Sequence, residues 1–316
     1  MIKNRRAFII GIKSTVLSKK EKLFLKKYKP WGVILFSRNL KKLNQIVKLT
    51  SDIRLIFKDD KYPILVDQEG GRVNRLNSLI EASVFTAGYF GNLYKRNKQK
   101  FSNYFKVYIK QISYLLNVLG ININTVPVLD VKKSKSTNII GDRSYSSMPK
   151  NVSIIGNFCI DQFNRGKIAT VIKHIPGHGL TTVDSHKKTP IIHYKKKYLF
   201  KNDFSTFRGK KSLFAMTAHI IYKDIDPINT ATHSKKIINI IRNKIGFRNL
   251  IISDDISMKA LKEPLKTNVI KAISAGCNLI LHCNANYTEM RIVGENVPLV
   301  DNFIIKKTSQ FYNFLS

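Results

Sequence analysis

The stretch Leu250-Ile251-Ile252-Ser253-Asp254 is a short aliphatic run that ends in a carboxylate. A short apolar run bounded by polar residues is typical of a strand that is buried on both faces of a parallel sheet. Seven other runs of similar character occur along the chain, so that the full set spans residues 7–12, 31–37, 64–67, 123–131, 170–174, 213–221, 250–254 and 277–283. The sequence therefore predicts eight strands.

Amphipathic segments separate these runs and predict helices over residues 43–57, 101–119, 152–165, 235–245, 267–275 and 301–314. Gly276 follows one of them and is expected to end that helix. Strands that alternate with helices favour a closed barrel over an open doubly wound sheet, because Gly11 is followed by Ile12 and Lys13 instead of a glycine-rich phosphate turn. We predict an α/β fold in which residues 1–316 form one single-domain (β/α)8 TIM barrel.

Polar residues follow most of the predicted strands. In a barrel of this type the ends of all the strands meet at one rim, where catalytic groups are found. These residues are Ser37, Arg38, Asp67, Asp130, Lys173, His174, His219, Asp254 and Asn284. Their number predicts a polar pocket at this rim.

The net charge is +35 in 316 residues, which raises the question of a nucleic-acid or membrane partner. The basic residues are spread from end to end, with no accompanying RNA- or DNA-binding motif, so compositional bias is favoured over a binding surface. Attraction to an acidic ligand stays open, but no specific nucleic acid and no membrane is expected as a partner. A monomer is expected.

The three cysteines, Cys159, Cys277 and Cys283, are too few and too irregularly spaced for a disulfide framework or a zinc motif. No apolar stretch approaches the length of a membrane span, and the basic N-terminus leads only into a short apolar run. These features predict a soluble, cytoplasmic protein without a cleaved export signal.

Several segments together resemble the β-N-acetylglucosaminidases of glycoside hydrolase family 3, of the bacterial cytoplasmic type that recycles cell wall. They appear in the family's order between about residue 7 and residue 290, and include Asp67-Gln68-Glu69-Gly70-Gly71-Arg72, Lys173-His174-Ile175-Pro176-Gly177-His178-Gly179, Asp184-Ser185-His186 and Ser253-Asp254-Asp255-Ile256-Ser257-Met258. The ordered set is far more specific than any one segment.

The resemblance implies that Asp254 is the nucleophile and His186 the general acid and base, with Asp184 hydrogen-bonded to the His186 ring. A carboxylate below the anomeric carbon suits an oxocarbenium-like transition state. An imidazole titrates near the working pH and adds no second anion beside the nucleophile. For Asp255 a helix-capping role is the favoured interpretation.

The resemblance further implies that Asp67, Arg75, Arg143, Lys173 and His174 bind the sugar. No cofactor is implied. His174 and His178 stand four residues apart, but Pro176 and Gly177 between them disfavour the helix on which the pair would share a metal-binding face, so no metal is expected.

The activity implied is retaining hydrolysis of terminal N-acetylglucosamine β-1,4-linked to anhydro-N-acetylmuramic acid, through a covalent glycosyl-enzyme. The chain departs from the family pattern at Asp142, often Glu, at Asn278, often Asp, and in a short basic segment at residues 259–266. These differences concern the far end of the substrate site. Two alternatives stay open: a β-glycosidase of this fold with another sugar preference, and a non-catalytic sugar- or nucleic-acid-binding barrel.

Overall fold

A computed structural model of the chain describes residues 2–133, 140–181 and 188–316. The strands in these ranges are β1 (Arg6–Gly11), β2 (Pro30–Leu35), β3 (Ile64–Val66), β4 (Ile123–Asn124), β5 (Ala169–Ile175), β6 (Ile191–Ile192), β7 (Phe214–Thr217), β8 (Ile221–Tyr222), β9 (Leu250–Asp255) and β10 (Leu279–His282). Of the helices described, none has the length and apolar character needed to cross a membrane.

Eight of these strands form a closed parallel barrel in the order β1-β10-β9-β7-β5-β4-β3-β2. The barrel closes between its first and last strands, where Phe8 lies in register with Ile280. The remaining two strands, β6 and β8, form a separate parallel pair in which Ile191 lies beside Ile221. The predicted (β/α)8 barrel is confirmed.

The helices are α1 (Lys19–Tyr28), α2 (Leu43–Phe57), α3 (Ala87–Arg96), α4 (Lys98–Val118), α5 (Pro149–Arg165), α6 (Lys196–Lys201), α7 (Lys235–Ile240), α8 (Leu265–Ala275), α9 (Tyr287–Asn296) and α10 (Asn302–Leu315). Short 3-10 turns lie at Ile2–Asn4, Gly141–Arg143, Asp203–Phe207 and Ala231–His233. The prediction for residues 43–57 matches α2. The predicted helix at 235–245 continues beyond α7 as a π-helical turn, Ile241–Ile245.

Neighbouring residues of a barrel strand belong to different parts of the core. Ala7 and Ile9 lie in one buried cluster, whereas Phe8 and Ile10 lie in another, because successive side chains of a strand point to opposite faces. Trp31 of β2 and Phe214 of β7, whose strands are not neighbours, contact each other with ring centroids 5.5 Å apart. The cluster that contains Ala7, Ile9 and these two rings therefore fills the barrel interior.

Helix α10 covers the end of the barrel at which the strands begin. Phe311 packs against both Trp31 and Phe214, and the Trp31 indole donates a 2.8 Å hydrogen bond to the Thr308 hydroxyl. Trp31 and Phe214 lie at the starts of β2 and β7. The opposite end, at which the strands finish, carries the polar residues.

Two predicted strands are shorter than the sequence suggested. Residues 123–131 contribute only Ile123 and Asn124 to the barrel, because the Asn124 amide pairs with the backbone of Gln68 and Pro127 has no N–H to donate. In residues 213–221, β7 ends at Thr217, and the chain then turns to supply β8 to the separate pair. Gly276 ends α8 with φ of 114°, as predicted.

Candidate active site

Asp67 directly follows β3 and lies among cationic side chains. Its Oδ1 accepts hydrogen bonds from the Thr125 hydroxyl and from Lys173 Nζ, the latter at 3.2 Å, and Arg75 Nη2 lies 3.7 Å from Oδ2. Burial alone would raise the pKa of Asp67, but Lys173 and Arg75 lower it below its ordinary value. The carboxylate is therefore ionised at neutral pH. Its Oδ2 accepts no hydrogen bond from the described residues and can accept one from a sugar hydroxyl.

Glu69 joins two of the predicted sugar-binding residues, although its own role was not predicted. Arg143 donates to both Glu69 oxygens, from Nε at 2.7 Å and from Nη2 at 2.8 Å, and Lys173 Nζ lies 2.6 Å from Oε1. Only 7% of the Glu69 side chain is exposed. Burial opposes ionisation, but Arg143 and Lys173 outweigh it and hold the pKa of Glu69 far below its ordinary value. Glu69 thus orients both cations.

Lys173 has acceptors for all three of its ammonium protons. They are Glu69 Oε1 at 2.6 Å, Thr125 Oγ1 at 2.9 Å and Asp67 Oδ1 at 3.2 Å. An ammonium group has three donors. A sugar hydroxyl that accepts from Lys173 must therefore compete with one of these three acceptors for an ammonium proton. Arg143 differs, because its Nη1 has no hydrogen-bond partner in the described part of the chain and can donate to a sugar without such competition.

His174 is held by Asp130, a fully buried carboxylate on the segment that follows β4. The His174 Nδ1–H donates to Asp130 Oδ2 at 2.7 Å, and the backbone N–H groups of His174 and His178 donate to Oδ1 at 3.2 and 2.6 Å. Burial alone would raise the pKa of Asp130, but its interactions with His174 and His178 together outweigh burial and lower it below the ordinary value. Because ionised Asp130 only accepts, Nδ1 carries a proton, and Nε2 has no partner among the described residues.

Asp254 lies at the rim, as predicted. It is the second-last residue of β9, and its side chain is partly exposed. The backbone N–H of Asp255 donates to its Oδ1 at 2.8 Å. Burial alone would raise the pKa of Asp254, but His174 and His219, followed by the Asp255 N–H and Lys173, lower it. Asp254 is therefore an anion at neutral pH, as a nucleophile must be.

Asp255 has a structural role in the turn after β9. Its Oδ1 accepts hydrogen bonds from the Ser257 N–H at 3.1 Å, the Ser257 hydroxyl at 2.8 Å and the Cys283 N–H at 3.3 Å. The expected helix cap is wrong in detail, because the next helix, α8, begins only at Leu265. The carboxylate instead fixes the turn next to Asp254.

His219 supports this turn as a neutral ring. Its Nε2–H donates to the backbone oxygen of Asp255 at 3.0 Å, and its Nδ1 accepts from the Thr232 hydroxyl at 2.7 Å. A carbonyl oxygen cannot donate, which fixes the proton on Nε2. Burial lowers the pKa of His219, consistent with the neutral form.

His174 and His178, the pair weighed as metal ligands, belong to no metal-binding cluster in the part of the structure that is described. Over residues 2–133, 140–181 and 188–316, no group of three or more His, Cys, Asp or Glu side chains could hold an ion. Burial, followed by His174, lowers the pKa of His178 to about 4. His178 is thus neutral and hydrogen-bonds Thr181 at 3.0 Å.

The structure brings five predicted residues into one polar group, with Glu69 and Asp130 connecting them. Asp67 contacts Arg75 and Lys173, Glu69 links Lys173 to Arg143, and Asp130 holds His174 beside Lys173. Asp184 and His186 lie outside the described residues, so the predicted acid/base pair stays a prediction. Glu69 could have been noticed as a second carboxylate two residues after a strand-end aspartate.

A polar rim of this kind on a (β/α)8 barrel, with an ionised aspartate at a strand end, defines a barrel enzyme. Residues 9–308 match the model of the glycosyl hydrolase family 3 N terminal domain. The chain belongs to this family and is a glycoside hydrolase.

Curated relatives and solved structures agree with this assignment. The chain is 31% identical over 287 residues to a beta-hexosaminidase of Nitrosomonas eutropha, covering 87% of this chain and 80% of the relative. It is 31% identical over 306 residues to a beta-hexosaminidase of Haemophilus influenzae, covering 94% and 84%. The crystal structure of NagZ from Neisseria gonorrhoeae in complex with N-trifluoroacetyl-D-glucosamine superposes with a TM-score of 0.87 at 25% identity, covering 99% and 90%.

Proposed function

We propose that this glycoside hydrolase is a β-N-acetylhexosaminidase that removes terminal N-acetylglucosamine with retention of configuration. The observation that carries the proposal is the partly exposed Asp254 carboxylate at the end of β9, whose Oδ1 accepts from the Asp255 N–H at 2.8 Å and whose pKa lies below its ordinary value. The names of the curated relatives and the N-acylated glucosamine bound to the Neisseria protein support the choice of sugar.

In the first step Asp254 attacks the anomeric carbon and forms a covalent glycosyl-enzyme, while His186 protonates the departing oxygen. In the second step His186 takes a proton from water, the water attacks the anomeric carbon from the face that the aglycone has left, and the bond to Asp254 on the opposite face breaks. Asp184 orients the His186 ring and stabilises its protonated form. The roles of Asp184 and His186 rest on the family resemblance.

The sugar hydroxyls bind the polar group around Asp67. Asp67 Oδ2 accepts from a hydroxyl, Arg143 Nη1 and Arg75 offer donors that the described residues leave available, and His174 Nε2 is left as an acceptor for a hydroxyl. The ion pairs behind these groups fix their directions before substrate arrives, which reduces the entropy cost of binding.

The natural substrate we propose is N-acetylglucosamine β-1,4-linked to anhydro-N-acetylmuramic acid, with or without its peptide, hydrolysed by a monomer in the cytoplasm. The three cysteines are unpaired, as suits a reducing compartment. We propose that the reaction needs neither a metal nor an organic cofactor.

Hydrolysis of 4-nitrophenyl N-acetyl-β-glucosaminide tests the proposal. We expect Asp254→Asn to lower kcat by at least about a thousandfold, because an amide cannot form the glycosyl-enzyme, with little change in the folded state. Asp52→Asn, at an exposed ion pair on α2, is the matched control and keeps wild-type kcat. The proposal fails if Asp254→Asn retains activity, or if the 4-nitrophenyl β-glucoside, which lacks the 2-acetamido group, is the better substrate.

A further inference from the structure

Asp130 occupies an unusual place for a carboxylate that touches no solvent. It lies on the segment after β4, and the backbone of this segment is fixed on both sides. The Leu129 N–H donates to Lys173 O at 2.7 Å, and the Ser144 hydroxyl donates to the backbone oxygen of Asp130 at 2.7 Å. Its side chain then accepts three hydrogen bonds from β5 and the loop after it, described above for His174 and His178. A fully buried charge is retained only where such bonds compensate the loss of water.

The three hydrogen bonds that Asp130 accepts all act on or next to the His174 ring. The two backbone bonds fix the main chain at His174 and His178, and the bond to Nδ1 fixes the rotation and the tautomer of the His174 imidazole. With Nδ1 committed to Asp130, Nε2 is the ring atom left for other groups. His174 is also the largest favourable influence on the ionised form of Asp254.

We propose that Asp130 is a positioning residue of the active site: it fixes the orientation and tautomer of the His174 ring and, through that ring, the contact that His174 makes with the sugar. Asp130 itself touches neither the sugar nor the reacting atoms. The contact with the sugar rests on the proposed function, whereas the effect on the His174 ring does not.

Other charged groups face both carboxylates and limit how Asp130 can act. Around Asp130 these are His174, His178, Arg143, Asp203 and the Tyr222 hydroxyl. Around Asp254 they are Lys173, His174, His219 and Cys283. Among the described groups, only His174 both hydrogen-bonds Asp130 through its ring and acts on Asp254, so we expect removal of the Asp130 charge to reach Asp254 mainly through His174.

Asp130→Asn is the direct test, because it keeps the volume and removes the charge. The matched control is Asp59→Asn, which removes a carboxylate with 11% of its side chain exposed from the ion pair with Arg5, a residue that precedes β1 at the far end of the barrel. Each variant is assayed with 4-nitrophenyl N-acetyl-β-glucosaminide between pH 3.5 and 8, below its unfolding temperature.

We expect Asp130→Asn to lower kcat/KM at pH 7 by at least about tenfold and to move the acidic limb of the profile upward by about 0.5–1 pH unit, since Asp254 loses the fixed ring that favours its ionised form. Asp59→Asn should shift neither. If Asp130 is only structural, Asp130→Asn will lower the unfolding temperature and leave the acidic limb of the pH profile in place. That result would overturn the proposal. If wild-type enzyme does not hydrolyse the substrate, the proposed function fails instead.

The protonation of the His174 ring can be measured in the wild-type protein, without Asp130→Asn. In wild-type protein labelled with ¹⁵N-histidine, we expect the Nδ1 of His174 to stay protonated from pH 5 to 8, with its resonance assigned by comparison with His174→Gln. A proton found only on Nε2 contradicts the proposal, whether or not Asp130→Asn folds and whatever the enzyme hydrolyses.

Discussion

Arg143 and Glu69 form a two-pronged ion pair, in which Nε and Nη2 of the guanidinium lie 2.7 and 2.8 Å from the two carboxylate oxygens. The residues are 74 positions apart in sequence, yet both are largely buried, with 18% and 7% of their side chains exposed. Lys173 approaches the same carboxylate at 2.6 Å. One anion therefore holds two cations of the sugar site.

Glu69→Gln should damage both stability and substrate binding. The change leaves Arg143 and Lys173 without their shared counter-charge, and breaking a buried ion pair on one side costs about 3–5 kcal/mol of unfolding free energy. We expect KM to rise by at least about tenfold as the Arg143 guanidinium loses its fixed direction. Urea unfolding and steady-state kinetics measure the two effects.

The control for Glu69→Gln is Glu263→Gln, which removes a carboxylate that pairs with Lys271 at 2.6 Å but is exposed. Its unfolding midpoint and KM should equal those of wild type, because exposed pairs contribute little. Equal behaviour of the two variants would show that Glu69 does not organise the site.

Asp203→Asn should make the protein more stable in mild alkali. Burial, followed by the nearby Asp130 charge, raises the pKa of Asp203 to about 7. The pKa of an aspartate in the unfolded chain is about 3.9. Between these values the folded protein binds a proton that the unfolded chain does not, so the free energy of unfolding falls as pH rises from about 4 to about 7.

An asparagine cannot ionise, and the variant loses this pH dependence. At pH 8 we expect it to be more stable than wild type by about 2–4 kcal/mol, and at pH 4 the difference should largely vanish. Denaturant unfolding at both pH values measures this. The exposed Asp161→Asn serves as control, and unfolding curves of Asp203→Asn that parallel wild type at every pH would refute the account.

Asn278→Asp should stabilise the protein, because Asn278 Oδ1 accepts from Arg242 Nη2 at 2.7 Å where a charged partner would bind more strongly. Arg242 has no carboxylate partner among the described residues, and burial lowers its pKa to about 10. A carboxylate here also keeps the bond from the Ile251 N–H. We expect a gain of about 1–2 kcal/mol that shrinks in high salt. A lower melting temperature in low salt would contradict this interpretation.

The sequence was sufficient for the barrel because each strand is a local feature. For example, the strand predicted at residues 64–67 is observed as β3, Ile64–Val66, and the carboxylate of Asp67 that follows it lies at the rim. Helix α2 matches its predicted range because its apolar residues repeat at helical spacing. Strand lengths were predicted less well, because Asn124 and Pro127 end the β4 pairing through contacts that a hydrophobic pattern does not contain.

Partnerships between distant residues could not be predicted. Glu69 and Asp130 act on Arg143 and His174, 74 and 44 residues away, and nothing local in the sequence shows which cation each carboxylate meets. Asp203 likewise lies in a short 3-10 turn, and its raised pKa arises only when folding removes it from water beside Asp130. Asp254 could be proposed as the nucleophile because a family pattern surrounds it, whereas its electrostatic environment required the fold.

The most direct test of the central claim is the anomer first released from an aryl N-acetyl-β-glucosaminide, followed by proton NMR before mutarotation. An attack by Asp254 followed by an attack by water inverts the anomeric carbon twice, so the account predicts that β-N-acetylglucosamine appears first and the α-anomer only later. Initial release of the α-anomer would contradict a covalent intermediate on Asp254.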